Sequence, residues 1–141
     1  MDNGRIMGID FGMRHIGVAL SDILKITANG YETVNWNGIN VEKAVERIVE
    51  IVKENNVTEI VMGKPSKTDG TKSESEIKAE MFGELVKEKT GITPVFKDER
   101  YTTVIASRML HDNNMNSKKQ KKIIDQVAAE IILREYLESK R

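Results

Sequence analysis

Three strand-like runs crowd the first 36 residues, joined by connections too short to hold a helix, and this dictates how a sheet must begin. Residues 5–11 are strongly apolar, the Gly-Met-Arg-His stretch at 12–15 reads as a turn, and residues 16–20 resume strand character, so the first two runs form a hairpin. A third strand falls within residues 25–36, interrupted at Asn29 and Gly30 by a turn or a bulge. Parallel neighbours need a crossover of a dozen or more residues, and these connections supply none, so the sheet starts antiparallel.

The periodicity then changes. Val41, Ala44, Val45, Ile48, Val49 and Val52 recur at helical spacing behind Asn40, a candidate N-cap. Residues 57–62 form a strand ended by Gly63 and Pro65, and residues 66–72 are polar and turn-rich, as expected of a mobile loop. Ser73 and Glu76 can close a capping box on a helix running to about Lys89, with Gly91 as its C-cap. A short last strand covers residues 93–97, and two helices follow at 102–110 and roughly 121–137. The order β-β-β-α-β-α-β-α-α joins an antiparallel start to helix-connected, parallel strands. It predicts an α/β protein with a mixed five-stranded sheet and helices on both faces.

At 141 residues the chain can bury a single core and reads as one domain, 1–141. No run approaches the ~20 apolar residues that span a bilayer, so no membrane association is expected, and the opening Met-Asp-Asn-Gly-Arg has no signal-peptide character. Cysteine is absent, which excludes disulfides, thiolate metal sites and thiol nucleophiles and points to the cytoplasm. A net charge of zero argues against a dominant electrostatic footprint for nucleic acid. Yet Lys118, Lys119, Lys121 and Lys122 place four lysines within five residues, just before an apolar stretch. Alone, that run is as readily a solvated helix start as a phosphate-contacting patch.

Chemistry is suggested by three carboxylates. Asp10 ends an apolar strand, where an acid is disfavoured and a buried charge is costly unless paired or bound to metal. Strand alternation puts Gly8, Asp10 and Gly12 on one side, and glycines beside an acid let a backbone or ligand approach closely. A strand-end turn hydrogen bond is the plainer explanation and fits those glycines poorly. Glu99 follows the last strand, a common site position in α/β proteins, but taken alone, helix-start chemistry accounts for it better. Asp125 has Ala128, Ala129 and Ile132 at i+3, i+4 and i+7, small and apolar neighbours that leave room over the carboxylate, though a surface position remains open. Together the three suit Mg²⁺ or Mn²⁺, which take hard oxygen ligands from several elements. Two such ions about 3.5–4 Å apart can activate an attacking water and stabilise a leaving oxygen in phosphodiester hydrolysis. The two histidines, His15 and His111, lack metal-ligand spacing and read as surface or packing residues.

The order of motifs resembles the YqgF, or RuvX-type, family. The matching segments are Gly8-Ile-Asp-Phe-Gly-Met-Arg-His-Ile-Gly-Val-Ala-Leu-Ser-Asp22, Val61-Met-Gly-Lys-Pro65 with Asp69-Gly70, Asp98-Glu-Arg-Tyr-Thr-Thr103, and Asp125-Gln-Val-Ala-Ala129. The resemblance implies a ribonuclease H-like fold, related to junction resolvases, in a cytoplasmic bacterial nuclease that matures the 5′ end of precursor 16S ribosomal RNA. It places Asp10, Glu99 and Asp125 in an acidic metal site for Mg²⁺ or Mn²⁺, with Asp10 shared between two ions. By the same resemblance Arg14 is the basic residue after the first strand, and Arg100 and Thr103 form a cluster after the last. With the lysine run at Lys118, Lys119, Lys121 and Lys122, these would hold phosphates. Lys64, where the family usually has an aliphatic residue, and the missing proline near Thr27-Ala-Asn-Gly30 are departures that leave the acids untouched.

Two rivals belong to other classes. Asp10-Phe-Gly12 also looks like the phosphate turn of the actin, sugar-kinase and Hsp70 ATPases, but those enclose nucleotide between two such domains. A non-catalytic module that binds RNA or a protein partner is the other. Precursor RNA is favoured over branched DNA as substrate, because a resolvase acts most simply as a two-fold dimer and no apolar stripe announces one; a monomer or weak homodimer is expected.

Overall fold

The short N-terminal connections produce the antiparallel meander they require. In the computed structural model, which describes residues 4–64, 73–98 and 118–140, β1 (Arg5–Asp10) pairs β2 (His15–Ser21), and β2 pairs β3 (Ala28–Asn35), both antiparallel. Helix α1 (Val41–Glu54) leads to β4 (Val57–Lys64), parallel to β1, and α2 (Glu74–Thr90) precedes β5 (Val95–Asp98), parallel to β4. Helix α3 (Lys118–Ser139) follows. The order β3-β2-β1-β4-β5 is the expected mixed five-stranded sheet, with β1 at its centre. The expected loop at 66–72 and helix at 102–110 lie outside the described residues.

Local chemistry accounts for the boundaries. The interruption at Asn29 and Gly30 is a bulge: pairing steps from Val18 with Glu32 to Ala19 with Gly30, leaving Tyr31 as the extra residue. Asn40 holds the N-cap position of α1 but makes no side-chain capping bond. The turn before it is closed by Asn37, its Oδ1 accepting from the backbone N–H groups of Ile39 and Asn40, both at 2.8 Å. The buried stripe of α1 includes Ile51, while Val49 is only partly buried. On α2 the Ser73 Oγ accepts from the Glu76 N–H at 3.1 Å, as its sequence suggests. Gly91 terminates that helix at φ 78°, its N–H reaching the Lys87 carbonyl at 2.8 Å.

The sheet separates two cores. Helices α1 and α2 pack over Met7, Ile9, Ile16, Val18, Ile60 and Met62, and α3 covers the opposite face over Ile6, Ala19 and Val61. Beside α1, the Glu32 carboxylate is gripped by Arg47 through Nε at 2.8 Å and Nη2 at 2.6 Å. Helix α3 lies very close to the sheet. A Cβ on Gly8 would come within 2.7 Å of the Leu133 Cβ and 2.9 Å of the Ala129 carbonyl oxygen. Polar contacts pin the helix along its length: Gln126 Nε2 donates to Thr33 Oγ1 at 3.1 Å, and the Glu130 carboxylate accepts from the Gly30 N–H at 2.7 Å. Further along, the Glu59 carboxylate accepts from the Tyr136 hydroxyl and from Lys140 Nζ, the latter at 2.6 Å. Burial pushes Glu59 up, but the hydrogen bonds from Lys140 and Tyr136, with the charges of Lys140 and Lys25, hold it below the usual carboxylate range. Among the described residues, no helix is long and apolar enough to cross a membrane.

Candidate active site

Asp10 ends the central strand on the α3 face and is 1% exposed. The sheet register explains how an acid fits there. Asp10 pairs Gly17 on β2 and Gly63 on β4, Gly17 pairs Thr33 on β3, and Gly63 pairs Lys97 on β5. Directly paired residues share a face, so a row Thr33–Gly17–Asp10–Gly63–Lys97 crosses the sheet with the acid between two residues that have no side chain. The glycines that flank Asp10 are therefore Gly17 and Gly63, which strand alternation alone could not reveal. Gly8 instead admits α3. Gly12 lies in the turn after β1, where a Cβ would stand 2.5 Å from the His15 carbonyl oxygen.

The turn beyond Asp10 is anchored to the end of β3. The Phe11 ring packs at 5.6 Å from Trp36 and 5.3 Å from Phe82 between centroids. Trp36 Nε1 donates to the Gly12 carbonyl at 2.8 Å, and its backbone N–H donates to the Arg14 carbonyl at 3.1 Å. His15 Nδ1 and Asn35 Oδ1 share a hydrogen bond at 2.6 Å, so His15 acts as a packing residue of the turn. Arg14 is thus an exposed cation on a backbone fixed at both ends.

Helix α3 runs antiparallel to β1. Tyr136 meets Glu59, which pairs Ile6; Ala129 and Leu133 meet Gly8; and Gln126 meets Thr33, a member of the Asp10 row. Gln126 itself sits over β3, its Cβ 3.3 Å from where a Cβ on Gly30 would stand. The side chain of Asp125, and those of Lys118, Lys119, Lys121 and Lys122 in the first turns of α3, are outside the described set. Strand β5 brings the chain to Asp98, one residue short of Glu99; Glu99, Arg100 and Thr103 lie outside the described residues.

Among the described residues, no three or more His, Asp or Glu side chains gather where they could hold a metal ion. The fit of a divalent cation therefore rests on Asp10. It is a hard oxygen donor, buried and beside two positions without side chains. A groove of about 380 Å³ lined by Ile26, Asn29, Arg134 and Leu137 lies towards the other end of α3, away from Asp10.

Residues 4–139 match the family model RuvX, described as Holliday junction resolvase. The "Putative pre-16S rRNA nuclease" of Ligilactobacillus salivarius is 45% identical over 138 residues, 97% of this chain and 94% of the relative. The protein of the same name from Clostridioides difficile is 44% identical over 140 residues, covering 99% and 98%. Among solved structures, Thermus thermophilus RuvC in complex with a Holliday junction substrate superposes with a TM-score of 0.62 at 13% identity, covering 97% of this chain and 95% of that one. The fowlpox virus resolvase with Holliday junction DNA gives 0.59 at 12% identity, covering 96% and 98%. At those identities the structural likeness speaks to the fold alone, and it is the expected ribonuclease H-like fold. With 136 matched positions spanning nearly its whole length, 139 − 4 + 1, the chain belongs to the RuvX family.

Proposed function

We propose that this protein is a nuclease dependent on a divalent metal, Mg²⁺ or Mn²⁺, that hydrolyses phosphodiesters at the 5′ end of precursor 16S ribosomal RNA in the cytoplasm. The observation that carries the reading is the buried Asp10 between Gly17 and Gly63. An acid at the end of the central strand, paired on both sides with residues that have no side chain, is poorly explained by strand preference alone. It is intelligible if a cation and a phosphodiester come there.

Asp10, Glu99 and Asp125 would hold the metal. A divalent ion supplies Lewis acidity to the phosphate and lowers the pKa of water. The chain itself supplies placement. Gly17 and Gly63 let the sugar–phosphate backbone approach the Asp10 carboxylate, and the anchored turn presents Arg14 from a backbone that is already ordered. Arg14, Arg100, Thr103, Lys118, Lys119, Lys121 and Lys122 would contact flanking phosphates, which fixes the strand without reading its sequence.

The names of the curated relatives support the RNA substrate. The description of the family model, and a fold shared with resolvases bound to junctions, support a second reading in which branched DNA is cut. The deciding experiment incubates the protein with precursor 16S RNA and with a synthetic four-way junction, each with Mg²⁺, Mn²⁺ or chelator. Metal-dependent cleavage near the mature 5′ end of the RNA is expected, and Asp10→Asn should abolish it while leaving the fold intact. An unimpaired Asp10→Asn variant sinks the assignment, and binding without cleavage favours a non-catalytic module.

A further inference from the structure

We infer that Lys97 is a substrate-binding residue of the same site, holding a phosphate beside the one that is cleaved; the inference rests on the nuclease reading above. Lys97 pairs Gly63, and Gly63 pairs Asp10, so all three face α3 in one row. Strands stand about 4.8 Å apart, which puts the Lys97 backbone about 10 Å from that of Asp10. The residue between them is a glycine, so within this row no side chain separates the Lys97 stem from Asp10. A four-carbon stem covers much of that span, and its end is a compact point charge suited to a phosphate oxygen.

Several other cations near the sheet are committed. Arg47 is bound by Glu32, Lys140 by Glu59, and Lys78 donates to the Gly38 carbonyl. Lys97 is partly exposed and makes no ion pair or side-chain hydrogen bond among the described residues. Lysine is a poor strand former. One use for it on an edge strand is to discourage pairing with other chains. That use does not call for a place in the Asp10 row with a glycine on the inner side.

The two roles differ in a measurable slope. A cation that neutralises one phosphate of a single strand contributes about 0.7 to the slope of log affinity against log salt. Binding of a fluorescein-labelled RNA carrying the precursor 16S 5′ sequence is titrated in EDTA across a salt series, so that no cleavage intervenes. Lys97→Gln should weaken binding about fivefold at low salt and flatten the slope by about 0.7. Lys97→Arg should restore both, and Lys53→Gln, on α1 across the sheet, should leave both unchanged. An unchanged slope in Lys97→Gln, or equal flattening in Lys53→Gln, overturns the inference. Because binding is read without metal, this outcome is separate from whether the wild-type protein cuts RNA.

Discussion

Replacing Gly8 with alanine tests the link between packing and site in a single methyl group. The added Cβ would meet the Leu133 Cβ at 2.7 Å and the Ala129 carbonyl oxygen at 2.9 Å. Carbon atoms rest at about 3.5–4.0 Å, so β1 and α3 must part by about 1 Å. Neither neighbour can swing aside, since one is a backbone carbonyl and the other a Cβ fixed by the helix. Overpacking of this kind costs about 1–3 kcal/mol, and two rigid elements place it near the upper end. Alanine also restricts the unfolded chain, which returns about 0.5–1 kcal/mol. The net loss is about 2 kcal/mol, or a fall of about 7 °C in Tm for a domain of this size. The same displacement shifts α3 relative to the strand that ends in Asp10, and misplacement of about 1 Å can cost a site up to about a hundredfold in rate. Thermal unfolding by circular dichroism and RNA cleavage at 25 °C, well below either transition, read the two effects separately. A Tm within about 2 °C of wild type would refute the packing argument. A lowered Tm with full activity would refute the claim that α3 seating governs the site.

Two further substitutions probe the frame. Ser21 is 2% exposed, its Oγ accepting from the Ile6 N–H at 2.8 Å and donating to the Asp22 carbonyl at 2.9 Å. Ser21→Ala strands a buried backbone donor and should cost about 2 kcal/mol in urea unfolding, whereas an unchanged midpoint would mean that water satisfies the amide. Glu32 is held below the usual carboxylate range by its hydrogen bonds from Arg47, against the upward push of burial. A depressed carboxylate contributes stability above its unfolded pKa and loses it as pH falls through the folded value. With both side chains 31% exposed, Glu32→Gln should cost no more than about 1 kcal/mol at neutral pH. That gap should close as pH falls below the ordinary value of 4.5; a gap that widens on acidification contradicts the pairing.

Much of the fold was legible because its determinants are local. The short connections around residues 12–15 and 22–27 force antiparallel neighbours, and the stripe from Val41 to Val52 forces a helix with one buried face. Where the reading slipped, the cause was a choice among equivalent groups. Asn40 stands at the N-cap of α1 as read, but the asparagine oxygen used there is that of Asn37, which closes the preceding turn by meeting the N–H groups of Ile39 and Asn40 at once. The site was legible only in part. An acid in an apolar strand is conspicuous, so Asp10 stood out, but its flanking glycines are seven residues away at Gly17 and 53 away at Gly63. Only the pairing register brings them together. Lys97 was missed for the same reason: in sequence it is one charge among many beside Asp98 and Glu99.

The close seating of α3 also sets an order of events during synthesis. Among the described elements it alone covers the sheet face that carries Ile6, Ala19, Val61 and Asp10, and it is the last of them in the chain. Asp10 precedes Lys118 by 108 residues, 118 − 10, which at about 5–20 residues per second is about 5–20 seconds of translation. Throughout that interval the central strand has an unfinished side, and no partial chain that stops short of α3 can close the face that carries Asp10.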